Sequence, residues 1–391
     1  MRKHPTAATV LTIALVLAAA PAAAAGPCPA LDTDLLDARF EAFADAGEHS
    51  VVVEVRRDDE TWAEAAGPRG FDDPAPAEPD DRVGIGSITK SMTAVVLLQL
   101  EAEGAVDLDD TIGDHLPGLL PYENEPTIRE VMGHRGGLDE FLRHLYPSLA
   151  EDDLSDVREH YRTHYEPEEL VALGTRGPLL FEPGGGWSYS NTGYMALGLL
   201  VEELTGNSLG HELDQRVFEP AGMDDAYLPH DDGFGFRGPH LTPYVTTGEA
   251  GEPYMDTTGL STTQLWAGGG VVADMNAVND FYRAMADGTL LADEQFAEAA
   301  AFEGTGGERL YGLGLFGMPL GCGDGPGEIY FGHTGDTLGH SSYSFHSEDG
   351  RRQISVAWNV DDRHGYFDEE AFDEALTDLL VAALCDEGAR P

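Results

Sequence analysis

The chain has 391 residues, 71 acidic against 22 basic, for a formal net charge of −49 at pH 7. That charge excludes nucleic acid as a natural partner and argues against anionic surfaces. The acids are interleaved with apolar periodicity along the whole chain, so they signal not disorder but an acidic surface, suited to a saline exterior or set by the composition bias of the lineage.

Met1-Arg-Lys-His4 is a basic start, Ala7 to Ala20 is apolar, and Ala23-Ala-Ala25 offers a small-residue cleavage site. Residues 1–25 therefore read as a secretory signal peptide, and residues 26–391 as a single secreted catalytic unit of the cell envelope. No later segment is long and apolar enough to span a bilayer. Three cysteines remain, Cys28, Cys322 and Cys385. In an oxidising compartment one pair can close and one is left over.

Residues 31–46 predict an amphipathic helix marked by Leu35, Phe40 and Phe43. Residues 50–55 and 61–66 predict strands joined by a polar turn at Asp58-Asp59. A Pro- and Asp-rich loop, 70–81, then delivers the chain to Gly84-Ile-Gly-Ser-Ile-Thr-Lys90. Met92, Val95, Val96, Gln99 and Leu100 continue from it as a buried helix that Gly104 ends. Ser87 and Lys90 share one face of its start, where free N–H groups point outward. The ordinary reading of such a pair is a helix cap beside a solvated charge. Against it, Lys3 and Lys90 are the only lysines, so Lys90 is the sole lysine beyond the leader. An amine can give up its proton where a guanidinium cannot, and a nucleophilic serine needs such a neighbour.

From 108 to about 276 the pattern is mostly helices and loops. Residues 133–138 form a glycine-rich turn in which His134 reads as a structural hydrogen-bonder. Residues 181–191 form a rigid loop feeding a helix over 192–204, with Tyr189 and Asn191 at the junction. Residues 266–270 form a loop without bulk and with Trp266 at its mouth. Strands return at 328–334, 341–346 and 355–360, with Asp349-Gly350 as a hairpin signal. Phe372, Leu376, Leu379, Leu380 and Ala383 mark a closing helix. The fold class is α+β: an antiparallel sheet flanked by N- and C-terminal helices, with a large helical insertion. The sheet subdomain takes about 31–86 and 300–386, the helical subdomain about 87–299. The Gly233 to Gly238 match to a dinucleotide fingerprint is followed by Pro239 and lacks a strand–helix frame. No P-loop, zinc-protease or nucleophile-elbow motif occurs.

Ser87-x-x-Lys90, Tyr189-Ser-Asn191 and His333-Thr-Gly335 stand in order, accompanied by His134-Arg-Gly-Gly-Leu138, Trp266 and Tyr311-Gly-Leu-Gly314. The chain resembles the serine β-lactamase and penicillin-binding protein superfamily, in particular secreted D-alanyl-D-alanine carboxypeptidases and class C β-lactamase-like hydrolases. The resemblance implies the β-lactamase/DD-peptidase-like fold and acyl transfer through a serine ester. Ser87 would be the nucleophile, Lys90 and Tyr189 would move its proton, and His333 would relay protons or orient Tyr189. Asn191 would hold the acyl amide and Trp266 wall its pocket. Thr334 and Gly335 would pair with an extended substrate, and the N–H groups of Ser87 and Asp336 would form the oxyanion hole. No metal or cofactor is needed. Substrates would be a peptidoglycan-type peptide or a small acyl ester or amide, with β-lactams as inhibitors. The matching cysteines imply a Cys322–Cys385 disulfide, with Cys28 free.

Two departures bear on the substrate. Those carboxypeptidases bind a terminal carboxylate with an arginine where this chain has Phe316, and a small hydroxyl residue usually follows His-Thr-Gly where this chain has Asp336. Both disfavour a carboxylate, so neutral esters should be cleaved better than D-Ala-D-Ala peptides unless another arginine reaches the site. The readings are a carboxypeptidase, an esterase, amidase or β-lactamase-like hydrolase, and a penicillin-binding sensor without turnover.

Overall fold

The computed structural model describes residues 28–47, 49–230, 233–307, 309–322 and 328–386; the leader expected at 1–25 lies outside them. Eight strands form one fully antiparallel sheet: β1 (Val51–Arg57), β2 (Glu60–Ala66), β3 (Glu303–Gly304), β4 (Leu310–Tyr311), β5 (Phe316–Leu320), β6 (Glu328–Asp336), β7 (Ser341–His346) and β8 (Arg352–Trp358). Their spatial order is β2-β1-β8-β7-β6-β5-β4-β3. The chain thus lays down one edge first and returns, after its helical half, to build the rest.

Side chains alternate across a strand, so a strand covered on both faces feeds two cores. Val51, Val53 and Val55 of β1 enter one core, and Val52 enters the other. The first core lies under the terminal helices α1 (Thr33–Ala44) and α7 (Glu369–Leu384), which pack on each other. Leu36, Phe40 and Phe43 meet Leu376, Leu379 and Leu380 there. The second core binds the sheet to the helical half, built around α2 (Thr89–Ala102), α3 (Ile128–Met132), α4 (Asn191–Thr205), α5 (Trp266–Gly269) and α6 (Met275–Ala286). The α+β sheet with flanking terminal helices and a helical insertion is the observed architecture. Among the described residues no helix is long and apolar enough to cross a membrane.

Two local expectations shift. The strand expected at 355–360 runs Arg352–Trp358. Its charged start is tolerated because the Arg352 guanidinium donates to Leu384 O and to Asp386, at 3.0 and 2.7 Å. The loop expected at 266–270 contains the helical turn α5, closed by Gly270 N donating to Trp266 O at 2.8 Å. A disulfide joins Cys322, just past β5, to Cys385 at the end of α7, and Cys28 is free.

Candidate active site

Gly86 opens a single 3-10 turn, Gly86–Ile88, directly before α2. Its φ is +55°, and a Cβ there would sit 2.6 Å from Asp336 N. Only glycine meets both demands without strain. The turn is thereby pressed against the end of β6, and Ser342 Oγ donates to Ile85 O at 3.0 Å to hold the two together. The backbone of residue 86, next to Ser87, therefore lies against that of Asp336.

Ser87 is half-buried, and Lys90 below it is wholly enclosed. Lys90 Nζ lies 3.0 Å from Ser87 Oγ, and 2.6 Å from both Asn191 Oδ1 and Gly268 O. The last two oxygens can only accept. A neutral amine that donates its two hydrogens to them turns its lone pair toward Ser87. Burial pushes the Lys90 amine down from 10.5 to about 7, while the nearby Glu140 and Asp336 carboxylates pull the other way. Burial thus outweighs the two anions, and a large neutral fraction exists near pH 7.

The Tyr189 phenol lies near Ser87, whose side chain favours the ionised phenol against the larger effect of burial. Its ring is only half-buried, yet protein surrounds it closely enough that burial holds the phenol well above its usual range. Burial thus favours the protonated phenol at Tyr189 and the neutral amine at Lys90. Lys90 Nζ also stands 4.9 Å from the Tyr189 ring centroid.

Asn191 begins α4, whose cap is Ser190 accepting from Gly193 N at 3.3 Å. Glu140 Oε2 accepts from Asn191 N at 2.7 Å and from Asn191 Nδ2 at 3.0 Å, which aims Oδ1 at Lys90. Glu140 Oε1 accepts from Leu142 N at 3.0 Å. Burial raises the Glu140 carboxyl, while these bonds and Lys90 favour its ionised form.

His333 is buried and held neutral, pushed down to about 3 by burial, with Lys90 adding to the shift. Its Nδ1 contacts Thr334 O, which can only accept, so Nε2 accepts from Tyr311 Oη at 3.1 Å. Both ring nitrogens are engaged away from Ser87, and the ring lies 6.3 Å from that of Tyr189. That geometry favours orientation over proton relay. His134 accepts from Ser190 N at 3.2 Å and packs 4.2 Å from the Tyr189 ring, in keeping with a structural role. Asp336 accepts from Ser341 Oγ at 2.9 Å. Its carboxylate is solvent-exposed but crowded by protein, which raises its pKa against the pull of Arg309, Arg363 and Lys90.

Trp266, at φ +26°, packs its indole on α4, where a Cβ on Gly198 would lie 2.7 Å from the ring. Its turn presents Gly268 O to Lys90. Sequence reasoning missed Gly268 O, Tyr311 as partner of His333, and Glu140. Glu140 is one acid among 71, with no local signal to single it out. Among the described residues no group of three or more His, Cys, Asp or Glu could hold a metal.

A family model described as Beta-lactamase matches residues 36–379. Esterase EstB of Burkholderia gladioli is 30% identical over 210 residues, covering 50% of this chain and 52% of that protein. A D-aminopeptidase of Cereibacter sphaeroides (strain KD131) is 26% identical over 373 residues, covering 92% of this chain and 66% of that protein. The chain spans no more than about two thirds of these curated relatives' length. Among solved structures, a D-stereospecific amidohydrolase from Streptomyces sp. superposes with a TM-score of 0.77 at 27% identity, covering 90% of this chain and 99% of that one.

Proposed function

The chain belongs to the beta-lactamase family, and from that premise we propose a secreted serine hydrolase that works through an acyl-enzyme, D-alanyl-D-alanine carboxypeptidase-like in its machinery. The observation that carries this reading is the enclosed Lys90 amine, able to be neutral, 3.0 Å from Ser87 Oγ. Ser87 Oγ bonds to the substrate carbonyl carbon as its proton passes to Lys90 Nζ. The N–H groups of Ser87 and Asp336 meet the oxyanion. The proton returns through the Tyr189 phenol to the leaving nitrogen or oxygen as its bond to carbon breaks. Water then attacks the ester with Lys90 again taking a proton, and Ser87 is released. Asn191, held by Glu140, would receive the acyl amide, Gly335 would pair with an extended chain, and Trp266 would bound the acyl side.

The relatives are named esterase, D-aminopeptidase and D-stereospecific amidohydrolase. They support amide and ester donors, D-configured ones included, and keep an esterase or amidase as the second reading. β-Lactams would acylate Ser87. The leader sequence and the disulfide support secretion.

Incubation with a fluorophosphonate or a fluorescent penicillin, followed by peptide mapping, tests the assignment. Label should sit on Ser87 and vanish in Ser87→Ala; label elsewhere refutes it. Turnover of an aryl ester or amide after the burst separates a hydrolase from a penicillin-binding sensor.

A further inference from the structure

Ser87 and Asp336, whose N–H groups would meet the oxyanion, belong to segments far apart in the chain. Asp336 ends β6, and residues 337–340 form a loop closed on itself before β7. Thr337 N donates to His340 O at 2.8 Å, and His340 N to Thr337 Oγ1 at 3.0 Å. Ser87 is reached through Val83–Gly84, a short strand paired with Val272–Ala273. A Cβ on Gly84 would collide with the Phe234 ring, so that strand is already pressed from one side. His340 bridges the two segments. Its Nδ1 accepts from Gly84 N at 3.2 Å, and its Nε2 donates to Leu241 O at 2.9 Å.

The His340 ring is wholly buried, with the Phe234 and Phe236 rings 6.0 and 5.8 Å from it. Leu241 O can only accept and Gly84 N can only donate, so both bonds require the neutral imidazole with its proton on Nε2. Burial pushes the ring down to about 3, with His240 adding to the fall and the bond to Leu241 O opposing it. It therefore stays neutral where Lys90 titrates, near 7. A buried histidine that spends both nitrogens on backbone is commonly a packing element. Here the backbone it holds is three residues from Ser87 at one end, and His340 itself is four from Asp336 at the other. Leu241 N in turn donates to Arg82 O at 3.1 Å, so His340, Leu241 and residues 82–84 form a closed set of contacts. Ser342 Oγ on Ile85 O is a second tie between the same segments.

We propose that His340 is a positioning residue for the oxyanion site: its bond to Gly84 N–H fixes the gap between the Ser87 turn and the end of β6, and with it the aim of the two backbone donors. It touches no substrate. Such donors act because they stand about 2.7–3.1 Å from where charge will appear before the reaction begins. Closer approach of the two segments is barred, since a Cβ on Gly86 would already stand 2.6 Å from Asp336 N. Separation is what His340 and Ser342 restrain. A misplacement of roughly 1 Å at a reacting centre costs about a hundredfold in rate. Because the oxyanion exists only in the transition state, loosening this gap should slow acylation while leaving ground-state binding nearly unchanged.

The inference rests on the acyl-enzyme reading of Ser87, and its test separates the two. Titrate Ser87 with a fluorophosphonate, then measure kcat per titrated site and KM on an aryl ester. Measure also inhibition by an aryl boronic acid, whose tetrahedral adduct with Ser87 places an oxygen in the oxyanion site. His340→Phe keeps a ring and loses both bonds. Its kcat should fall about tenfold or more, short of the roughly 10²–10³-fold for outright loss of a donor, with KM within about threefold and boronate affinity falling in step with kcat. His340→Asn keeps an acceptor where Nδ1 stands and should recover most of the rate. His340→Gln reaches toward Leu241 O without an acceptor at the Nδ1 position, and should not. A merely structural His340 would lower the thermal midpoint and the titratable fraction but leave kcat per site and boronate affinity intact, which overturns the proposal, as does Gln matching Asn. Where the Phe variant does not fold, the comparison of Asn with Gln decides. Failure of the wild type to label at Ser87 or to cleave the aryl ester would instead strike at the acyl-enzyme reading.

Discussion

At the residue scale, the site depends on how Lys90 is kept near neutrality and on what aims its neighbours. A base must be unprotonated to act, so kcat/KM should rise with pH through about 7, where burial has put the Lys90 amine. An exposed lysine would place that limb near 10.4. Lys90→Arg should be inactive, because guanidinium stays protonated. Glu140 supplies an independent check. Glu140→Gln offers one acceptor oxygen where the carboxylate serves three N–H groups, so the Asn191 amide loses its fixed orientation. An unsatisfied buried group costs about 1–3 kcal/mol, which, if felt in the transition state, is a loss of kcat of roughly five- to 150-fold. Removing the Glu140 charge should also let the Lys90 amine fall further, moving the acid limb to lower pH. A fall in kcat with the limb unmoved, or moved upward, contradicts the electrostatic part of this account.

At the element scale, the catalytic turn is held by a few clamps between distant segments. The Gly86 turn, the end of β6 and the start of α4 come from three parts of the chain and converge because the sheet is completed only after the helical half is built. The end of β5 is tied to α7 by the Cys322–Cys385 disulfide, which closes a loop of sequence separation 63. In the chain-entropy model such a loop contributes about 4 kcal/mol. Cys385→Ser should therefore lower the denaturation midpoint by a large margin while leaving Ser87 able to be labelled in the folded fraction. Non-reducing peptide mapping that finds Cys28 in the bridge would overturn the pairing. Phe43, fully buried where α1 meets α7 and the sheet, is the complementary probe of that layer. Phe43→Ala should cost about 3–5 kcal/mol through lost burial and the cavity left behind.

At the scale of the whole molecule, the surface carries most of a net charge of −49. Self-repulsion of that size opposes the compact state, and salt screens it over about 8–10 Å at 0.1–0.15 M. The thermal midpoint should climb from low salt to molar NaCl; a flat or falling curve would mean that the ion pairs lost to screening outweigh the repulsion relieved.

What the sequence determined by itself was whatever is encoded in neighbouring residues. The Ser87–Lys90 spacing, the Tyr189–Asn191 junction, the Asp349-Gly350 hairpin and the apolar faces of α1 and α7 are consequences of local period and turn chemistry, and they were legible. Resemblance added the order of the motifs, and with it the fold. Tertiary structure alone decided which atoms complete the site. Gly268 O reaches Lys90 across 178 positions, Glu140 meets Asn191 across 51, and Tyr311 takes His333 across 22. Those partners are set by the packing of distant segments, which no run of neighbouring residues encodes.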